Sequence, residues 1–305
     1  MKLISIIFSF RNEEKNLTEL VNRVSKVFTN IDNWNYELIF VNDSSTDNSE
    51  KLLTDLLSKY PITLINMSRR FGVSACVLAG FKNAKGDAII YMDSDLQDPP
   101  ELIKDLIDKH EKGADIVHTV RTKRLGESKI KLLVTNLAYR VINFFSDIPL
   151  PINAGDYKLI SRRALNKILE LKEFRPYIRG LSIWVGYKQD FVEYVRDARG
   201  HGKSQFSILF SSGPVNEFIT GLTAYSIKPL YIGIVLGFLA ILVSILLTIY
   251  TFYAKFNNIT VLGSAGIIIS ISFFSGVILL SQGIIGLYIA RIFEQVRGRS
   301  RYIID

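Results

Sequence analysis

Short apolar runs alternate with amphipathic segments in the N-terminal part of the chain. Five runs have the length and composition of strands: Leu3–Phe8, Tyr36–Val41, Ile62–Met67, Ala88–Met92 and Ile116–Val120. Four intervening segments have helical periodicity: Asn16–Phe28, Ser49–Leu57, Val73–Asn83 and Pro100–Glu111. This alternation predicts an α/β fold with a mostly parallel sheet and crossover helices on both of its faces.

Two long runs without charge follow in the C-terminal part. No Asp, Glu, Lys or Arg occurs over residues 229–254 or over residues 256–290. A helix needs about 20 apolar residues to cross a bilayer, so each run is long enough to span one. We therefore predict two transmembrane helices, over Leu230–Tyr253 and Gly266–Tyr288, and the alternative is a pair of buried helices in a soluble domain.

Basic residues flank these predicted helices unevenly. Lys228 precedes the first helix, and Lys255 is the one charged residue between the two. Four arginines follow the second helix: Arg291, Arg297, Arg299 and Arg301. By the positive-inside tendency, we expect a multi-pass protein of the inner (plasma) membrane with its N-terminal domain and both chain ends in the cytoplasm.

The overall composition agrees with this location. The chain starts with a polar-flanked strand rather than a basic and then apolar leader, so we expect no signal peptide. Its single cysteine, Cys76, cannot form an internal disulfide and suits a reducing compartment. The net charge of +8 is explained by contact with anionic lipids and phosphorylated ligands, and no nucleic acid partner is expected.

Polar residues cluster directly after the predicted strands, where open α/β sheets bind their ligands. The clusters are Arg11–Glu14, Asn42–Asp47, Ser68–Gly72, Asp93–Asp98 and Arg121. Asp93 and Asp95 are two residues apart and can share a hard divalent cation, Mg²⁺ or Mn²⁺, which in turn binds a diphosphate. This spacing alone is weak support for a metal site, and its position after a strand strengthens it.

The segment Phe206–Ile227 mixes large apolar side chains with polar ones, and Gly213-Pro214 divides it. This pattern predicts two short amphipathic helices at the membrane surface. The predicted organisation is a cytoplasmic catalytic domain over residues 1–205, a juxtamembrane segment over 206–228, a two-helix membrane hairpin over 229–290 and a basic cytoplasmic tail over 291–305.

Taken together, the motifs resemble those of family-2 glycosyltransferases, and in particular the polyprenyl-phosphate glycosyltransferases. That group contains dolichyl-phosphate mannose synthase and the bacterial undecaprenyl-phosphate glucosyltransferases. The motifs that carry the resemblance are Asn12–Glu14, Val41–Asp47, Asp93–Pro100, Asn153–Tyr157, Trp184–Tyr187 and Gly286–Arg291. The resemblance covers essentially the whole chain and implies a glycosyltransferase-A domain, which is Rossmann-like, followed by interfacial and transmembrane helices.

The resemblance also implies roles for individual residues. Asp93 and Asp95 would hold the metal with Gln97 as an additional ligand, Asp95 would be essential to catalysis, and Asp156 would be the candidate base near the acceptor. The residues assigned to the sugar nucleotide are Glu13, Asp43, Asp93, Ser94 and Arg121. Those assigned to the lipid phosphate are Arg175, Arg179, Arg199, Lys203 and Ser204.

Several of these residues also have purely structural interpretations. Asp43 is of a type that caps turns and helices, and Asp156 is of a type found in turns after glycine. Arg175, Arg179 and Arg199 could form a solvated basic face. We predict that Asp98 caps the helix that starts at Pro99-Pro100.

The function that fits these observations best is an inverting transfer of a sugar from a nucleoside diphosphate to undecaprenyl phosphate or a related polyprenyl phosphate, for the cell envelope. The expected partners are the donor, the lipid acceptor and the bilayer, and a homo-oligomer is compatible with the pattern. One alternative is a processive polysaccharide synthase, but Trp34 and Trp184, the only tryptophans, do not follow an arginine as its Gln-x-x-Arg-Trp motif requires. The other is a non-catalytic membrane scaffold with a relic transferase domain.

Overall fold

The structure is a computed structural model that describes residues 1–124, 129–151, 153–171, 173–174, 176–196, 212–257 and 264–305. Its chain forms two compact units. The first, here the sheet unit, comprises Met1–Phe144, Ile148–Gly221 and Arg299–Asp305. The second, here the helical unit, comprises Phe145–Asp147 and Leu222–Gly298.

The strands of the sheet unit are β1 (Lys2–Phe10), β2 (Trp34–Asn42), β3 (Ile62–Asn66), β4 (Ala88–Asp93), β5 (Ile116–Arg124), β6 (Ala154–Ser161) and β7 (Gln189–Arg196). The helices of the chain are α1 (Glu14–Phe28), α2 (Ser49–Leu56), α3 (Val73–Asn83), α4 (Ile103–Glu111), α5 (Lys129–Phe145), α6 (Arg162–Glu170), α7 (Ile178–Trp184), α8 (Ser212–Ala224), α9 (Lys228–Phe256) and α10 (Ser264–Val296). A short 3-10 turn over Pro100–Leu102 precedes α4.

The strands form one seven-stranded sheet in the order β3-β2-β1-β4-β6-β5-β7. β6 runs antiparallel to both β4 and β5, and the other neighbours are parallel. The five predicted strands and the mostly parallel sheet are confirmed. β6 and β7 were not predicted, because charged and polar side chains interrupt their apolar pattern.

Apolar burial on both faces explains why β1 and β4 occupy the middle of the sheet. Phe8 on β1 stacks on Phe40 of β2 with ring centroids 4.6 Å apart, and both side chains are fully buried. Leu20 of α1 belongs to the same cluster. Burial of each such side chain contributes roughly 1.5–3 kcal/mol, so this cluster fixes the strands whose carboxyl ends carry the polar groups.

The helical unit contains the two apolar helices. α9 and α10 are long and apolar enough to cross a membrane, because 18-residue windows within Lys228–Phe256 and Ser270–Val296 have mean hydropathies of 2.9 and 1.9. They contain both predicted spans, Leu230–Tyr253 and Gly266–Tyr288, and extend beyond them.

Gly213 and Pro214 lie in the first turn of a helix, at the start of the second of the two predicted juxtamembrane helices. α8 starts at Ser212 and continues through both residues to Ala224. Proline is tolerated in the first turn of a helix, where its missing N–H has no intrahelical partner to lose. Residues 206–211, which would form the first interfacial helix, lie outside the described part of the chain.

The tail after α10 pairs with the edge of the sheet unit. Ile304 forms an antiparallel bridge with Met67, just beyond β3. The Ser68 amide donates to the Ile303 carbonyl at 3.1 Å, and the Asp305 amide donates to the Asn66 carbonyl at 2.9 Å. The residues that follow the second apolar helix therefore fold together with the N-terminal sheet.

Candidate active site

The loop after β4 places a pair of carboxylates at the carboxyl edge of the sheet. Asp93 ends β4, and Leu96 takes a positive φ of 59° in the turn that follows. The Ser94 hydroxyl donates to the Ser9 carbonyl at 3.1 Å, which ties this loop to β1. The Gln97 amide donates to the Asp95 carboxylate at 3.1 Å, which closes the turn. Both Ser94 and Asp95 are buried.

Negative charge accumulates around Asp93. Removal from water raises the pKa of Asp93 to about 7, and the nearby charges of Asp98, Asp95 and Asp156 act in the same direction. Such a surplus of carboxylates is what a divalent cation with oxygen ligands would compensate. The donor set therefore fits Mg²⁺ or Mn²⁺.

The protein would supply only part of a cation's coordination shell. No group of three His, Cys, Asp or Glu residues in the described part of the chain could hold a metal ion. Two aspartates would leave the remaining positions for water and phosphate oxygens, as is usual for Mg²⁺. Gln97 lies in the same turn, and its role as a third ligand stays a prediction.

Asp98 lies at the centre of a buried network of hydrogen bonds and ion pairs. It does not cap the following helix, so the prediction of a helix cap at Asp98 is wrong. Its carboxylate is fully buried and accepts hydrogen bonds from the Tyr194 hydroxyl and from Nε of Arg196, the latter at 3.2 Å. Nη2 of Arg121 lies 3.3 Å from its second oxygen. The turn that starts at Pro100 has no side-chain cap. Asp98 thus joins the ends of β4, β5 and β7.

Asp156 forms a bidentate ion pair with Arg179 of α7. It lies on β6, so the interpretation of Asp156 as a turn residue is wrong. Nε of Arg179 donates to one carboxylate oxygen at 2.8 Å, Nη2 donates to the other, and Nη1 donates to the Tyr139 hydroxyl at 2.7 Å. Burial alone would raise the pKa of Asp156, but Arg179, followed by Lys158 and Arg121, outweighs it and holds this pKa well below its usual range. Asp156 is therefore ionised at neutral pH and is a weak base.

The carboxylates of Asp43 and Glu13 accept hydrogen bonds from residues of the loops around them. The Asp43 carboxylate accepts hydrogen bonds from the amides of Phe71 and Gly72, at 2.7 Å and 3.1 Å, at the start of α3. The Glu13 carboxylate accepts one from Nδ2 of Asn16 at 2.6 Å. The Asp43 contacts join the end of β2 to the loop after β3, whereas the Glu13 contact lies within the segment after β1. The predicted contact of Asp43 with the base or ribose stays a prediction.

Lys158 and His118 are neighbours on paired strands, and both are almost completely buried. Burial lowers the pKa of Lys158 to about 8, and its ammonium donates to the Ser182 hydroxyl at 3.3 Å. Burial, with the charge of Lys158 second, lowers the pKa of His118 to about 3. His118 is therefore neutral in the folded protein, and its Nε2 lies 3.0 Å from Oε1 of Gln189.

This buried imidazole predicts a loss of stability in acid. Between pH about 6.5 and about 3, the unfolded chain binds a proton at His118 and the folded chain does not, so stability falls as the pH falls. The full effect is a few kcal/mol, since one pKa unit corresponds to about 1.4 kcal/mol. His118→Gln should flatten the melting temperature of the detergent-solubilised protein between pH 7 and pH 4. His110→Gln controls for the removal of a histidine, and a His118→Gln profile parallel to the wild type would contradict the prediction.

Four residues predicted to contact the lipid phosphate, Arg175, Arg199, Lys203 and Ser204, lie outside the described residues. Five of the other predicted site residues come together at one end of the sheet: Asp93, Asp95, Asp156, Arg121 and Arg179. Four residues of this end were missed as functional candidates: Asp98, Lys158, Tyr194 and Arg196. The sequence of β7 has no clean apolar alternation, so no local signal indicated Tyr194 and Arg196.

Comparison with known proteins agrees with this geometry. Residues 5–169, which contain Asp93, Asp95 and Asp156, match the family model Glycosyl transferase family 2. The chain belongs to glycosyl transferase family 2. As a member of this family it is an enzyme, so the alternative of a non-catalytic scaffold is set aside.

Relatives of this family-2 glycosyltransferase match it along its whole length. An uncharacterized glycosyltransferase, YkcC, of Bacillus subtilis is 38% identical over 99% of this chain and 93% of its own. A prophage-derived bactoprenol glucosyl transferase of Shigella flexneri is 34% identical over 99% of this chain and 97% of its own. Among solved structures, glucosyl-3-phosphoglycerate synthase from Mycobacterium tuberculosis, in complex with Mn²⁺, uridine diphosphate and phosphoglyceric acid, is 18% identical with a TM-score of 0.47, over 66% of this chain and 72% of that one.

Proposed function

We propose that this family-2 glycosyltransferase is an inverting enzyme that moves a sugar from a nucleoside diphosphate to undecaprenyl phosphate or a related polyprenyl phosphate. The observation that carries the proposal is the extent of the similarity. The family model ends at residue 169, whereas a bactoprenol glucosyl transferase matches 99% of the chain, including both apolar helices. A relationship limited to the donor-binding half would not point to a lipid acceptor.

The residues at the carboxyl end of β4 would stabilise the leaving group, the nucleoside diphosphate. Asp93 and Asp95 would hold Mg²⁺ or Mn²⁺, which when bound neutralises the charge that develops on the departing nucleoside diphosphate. Arg121 lies at the same edge of the sheet and would contribute a further positive charge to the diphosphate. The residues at the ends of β1, β2 and β3, among them Asp43 and Glu13, would surround the nucleoside.

Asp156 would orient the acceptor rather than remove a proton from it. A phosphate monoester has a second pKa near 6, so the acceptor is largely dianionic at neutral pH and already nucleophilic. A carboxylate whose pKa lies below its usual range, because Arg179 pairs with it, is poorly suited to proton abstraction. A single concerted displacement then inverts the anomeric centre and gives a β-linked product from an α-linked donor.

The proposal is tested with the purified full-length protein in detergent. The protein is incubated with undecaprenyl phosphate and each of a panel of labelled UDP- and GDP-activated hexoses and amino-hexoses. We expect transfer of one sugar from one donor, loss of product with EDTA and recovery with Mg²⁺ or Mn²⁺. A ladder of longer products would support the processive alternative, and the absence of lipid-linked product with every donor would refute the proposal.

The position of the tail leads to a prediction about topology. Residues 299–305 belong to the sheet unit, so the chain enters the helical unit from the sheet unit and returns to the sheet unit after α10. Together with the arginines after α10, this predicts two spans with the sheet unit and the tail in the cytoplasm. A reporter fused after Ile304 should report the cytoplasm, and one inserted at Asn257 should report the opposite side. An Asn257 reporter on the cytoplasmic side would mean that the helices do not both span the bilayer.

A further inference from the structure

Asp98 lies in the same loop as the candidate metal pair, but its carboxylate faces three donors from other strands. The side chain has no exposed surface, and those of Arg121 and Arg196 are 10% and 14% exposed. The two guanidinium groups therefore converge on one buried carboxylate. The Tyr194 hydroxyl bridges Asp98 and Arg121, because it donates to Asp98 and accepts from Nε of Arg121 at 2.9 Å.

The backbone of β6 leaves room for this arrangement. A Cβ atom at Gly155 would lie 2.8 Å from Nη2 of Arg121, closer than Cβ atoms approach other atoms, and 3.1 Å from its Cζ, which is also tight. The Arg121 guanidinium thus packs directly against the backbone of the residue before Asp156. Asp98 holds this guanidinium on one side, and on the other side the guanidinium occupies the space that a side chain at residue 155 would need.

The two arginines of this network share one fully buried carboxylate, Asp98, so neither is neutralised by a partner of its own. Nη2 of Arg196 also lies 3.8 Å from the Asp93 carboxylate, so the arginine pair extends to the residue that would hold the cation. A site for a diphosphate needs such charge, presented by donors that do not have to reorganise when the ligand arrives.

We infer that Asp98 is a positioning residue that holds Arg121 and Arg196 side by side for the diphosphate of the sugar nucleotide, and that Arg196 is a second phosphate-binding arginine of the donor site. The inference rests on the proposed use of a nucleoside-diphosphate donor. It does not depend on the identity of the acceptor. Asp98 itself touches no substrate, and its effect is transmitted through the two arginines.

The test measures binding of inorganic diphosphate to the full-length protein in detergent, by calorimetry at a fixed Mg²⁺ concentration. This probe needs neither the correct base nor the lipid, so it separates the inference from the choice of acceptor. Asp98→Asn removes the charge that holds both arginines, and Gly155→Ala displaces Arg121 without changing any charge. We expect Asp98→Asn to raise the Kd by about tenfold or more, equivalent to about 1.4 kcal/mol, and Gly155→Ala to raise it severalfold.

Asp115→Asn is the matched control. Asp115 is also a buried aspartate in an ion pair with an arginine, Arg163, but it precedes β5 at the opposite edge of the sheet. The Asp115→Asn substitution should lower the melting temperature of the protein and leave its Kd for diphosphate unchanged. If Asp98→Asn and Gly155→Ala bind diphosphate as the wild type does, the inference is wrong and the proposed transferase stands. If the wild type binds no diphosphate, the inference is also wrong, and the assay for lipid-linked product decides separately on the proposed transferase.

Discussion

Asp95→Asn is expected to abolish sugar transfer while the protein remains folded and inserted in the membrane. Asparagine keeps the side-chain oxygen that accepts the Gln97 amide, so the turn after β4 can persist. It removes the negative charge that would bind a divalent cation, which stabilises the leaving group by several kcal/mol. A loss of about 4 kcal/mol lowers the rate about a thousandfold. The measurement is the initial rate of lipid-linked product with saturating Mg²⁺ or Mn²⁺, together with the melting temperature.

The control for this variant is the same chemical change at an exposed site. Asp105→Asn, on the exposed face of α4, should retain the wild-type rate. Near-normal transfer by Asp95→Asn in either metal would rule out the proposed role of the Asp93 and Asp95 pair. A loss of folding in Asp95→Asn would show up in the melting temperature and would be distinguished from a loss of chemistry in that way.

Asp156→Asn is expected to lower kcat about a hundredfold without removing any inflection from the pH profile. Because Arg179 holds the pKa of Asp156 well below its usual range, Asp156 stays ionised between pH 5 and pH 9 and contributes no bend there. Both proteins should show the bend near pH 6 that belongs to the second ionisation of the acceptor phosphate, and no bend should distinguish the variant from the wild type. Loss of activity would then reflect the released Arg179 and a misplaced acceptor. A bend present in the wild type and absent from the variant would instead identify Asp156 as the general base.

The same pair predicts a coupled effect on stability. Removal of one partner of a buried ion pair costs about 3–5 kcal/mol, and somewhat less here because both side chains keep about a quarter of their exposure. Asp156→Leu and Arg179→Met should each lower the free energy of unfolding, and the double variant should lose less than the sum, by about 1–3 kcal/mol. Strict additivity in denaturant titrations would show that the pair contributes no coupling.

The local pattern of apolar residues in the sequence predicted many of the strands and helices. β1 and β4 are apolar on both faces, and α9 and α10 each contain a long run without charge, so their composition alone predicted them. The position of Asp93 and Asp95 followed as well, because residues after a parallel strand lie at one known edge of the sheet. These predictions depend on neighbours in sequence, which is why no long-range contact was needed to make them.

The missed features depend on contacts between distant parts of the chain. Asp98 meets Arg121, Tyr194 and Arg196, which are 23, 96 and 98 residues away in sequence. Seen alone, an aspartate before two prolines resembles a helix cap, and only the packed sheet shows that its carboxylate is enclosed by three donors. β6 was missed for the same reason, because it buries Lys158 and half-buries Asp156. Charged side chains are stable at such positions only when tertiary structure brings partners such as Arg179 and Ser182 to them, and no local pattern encodes those partners.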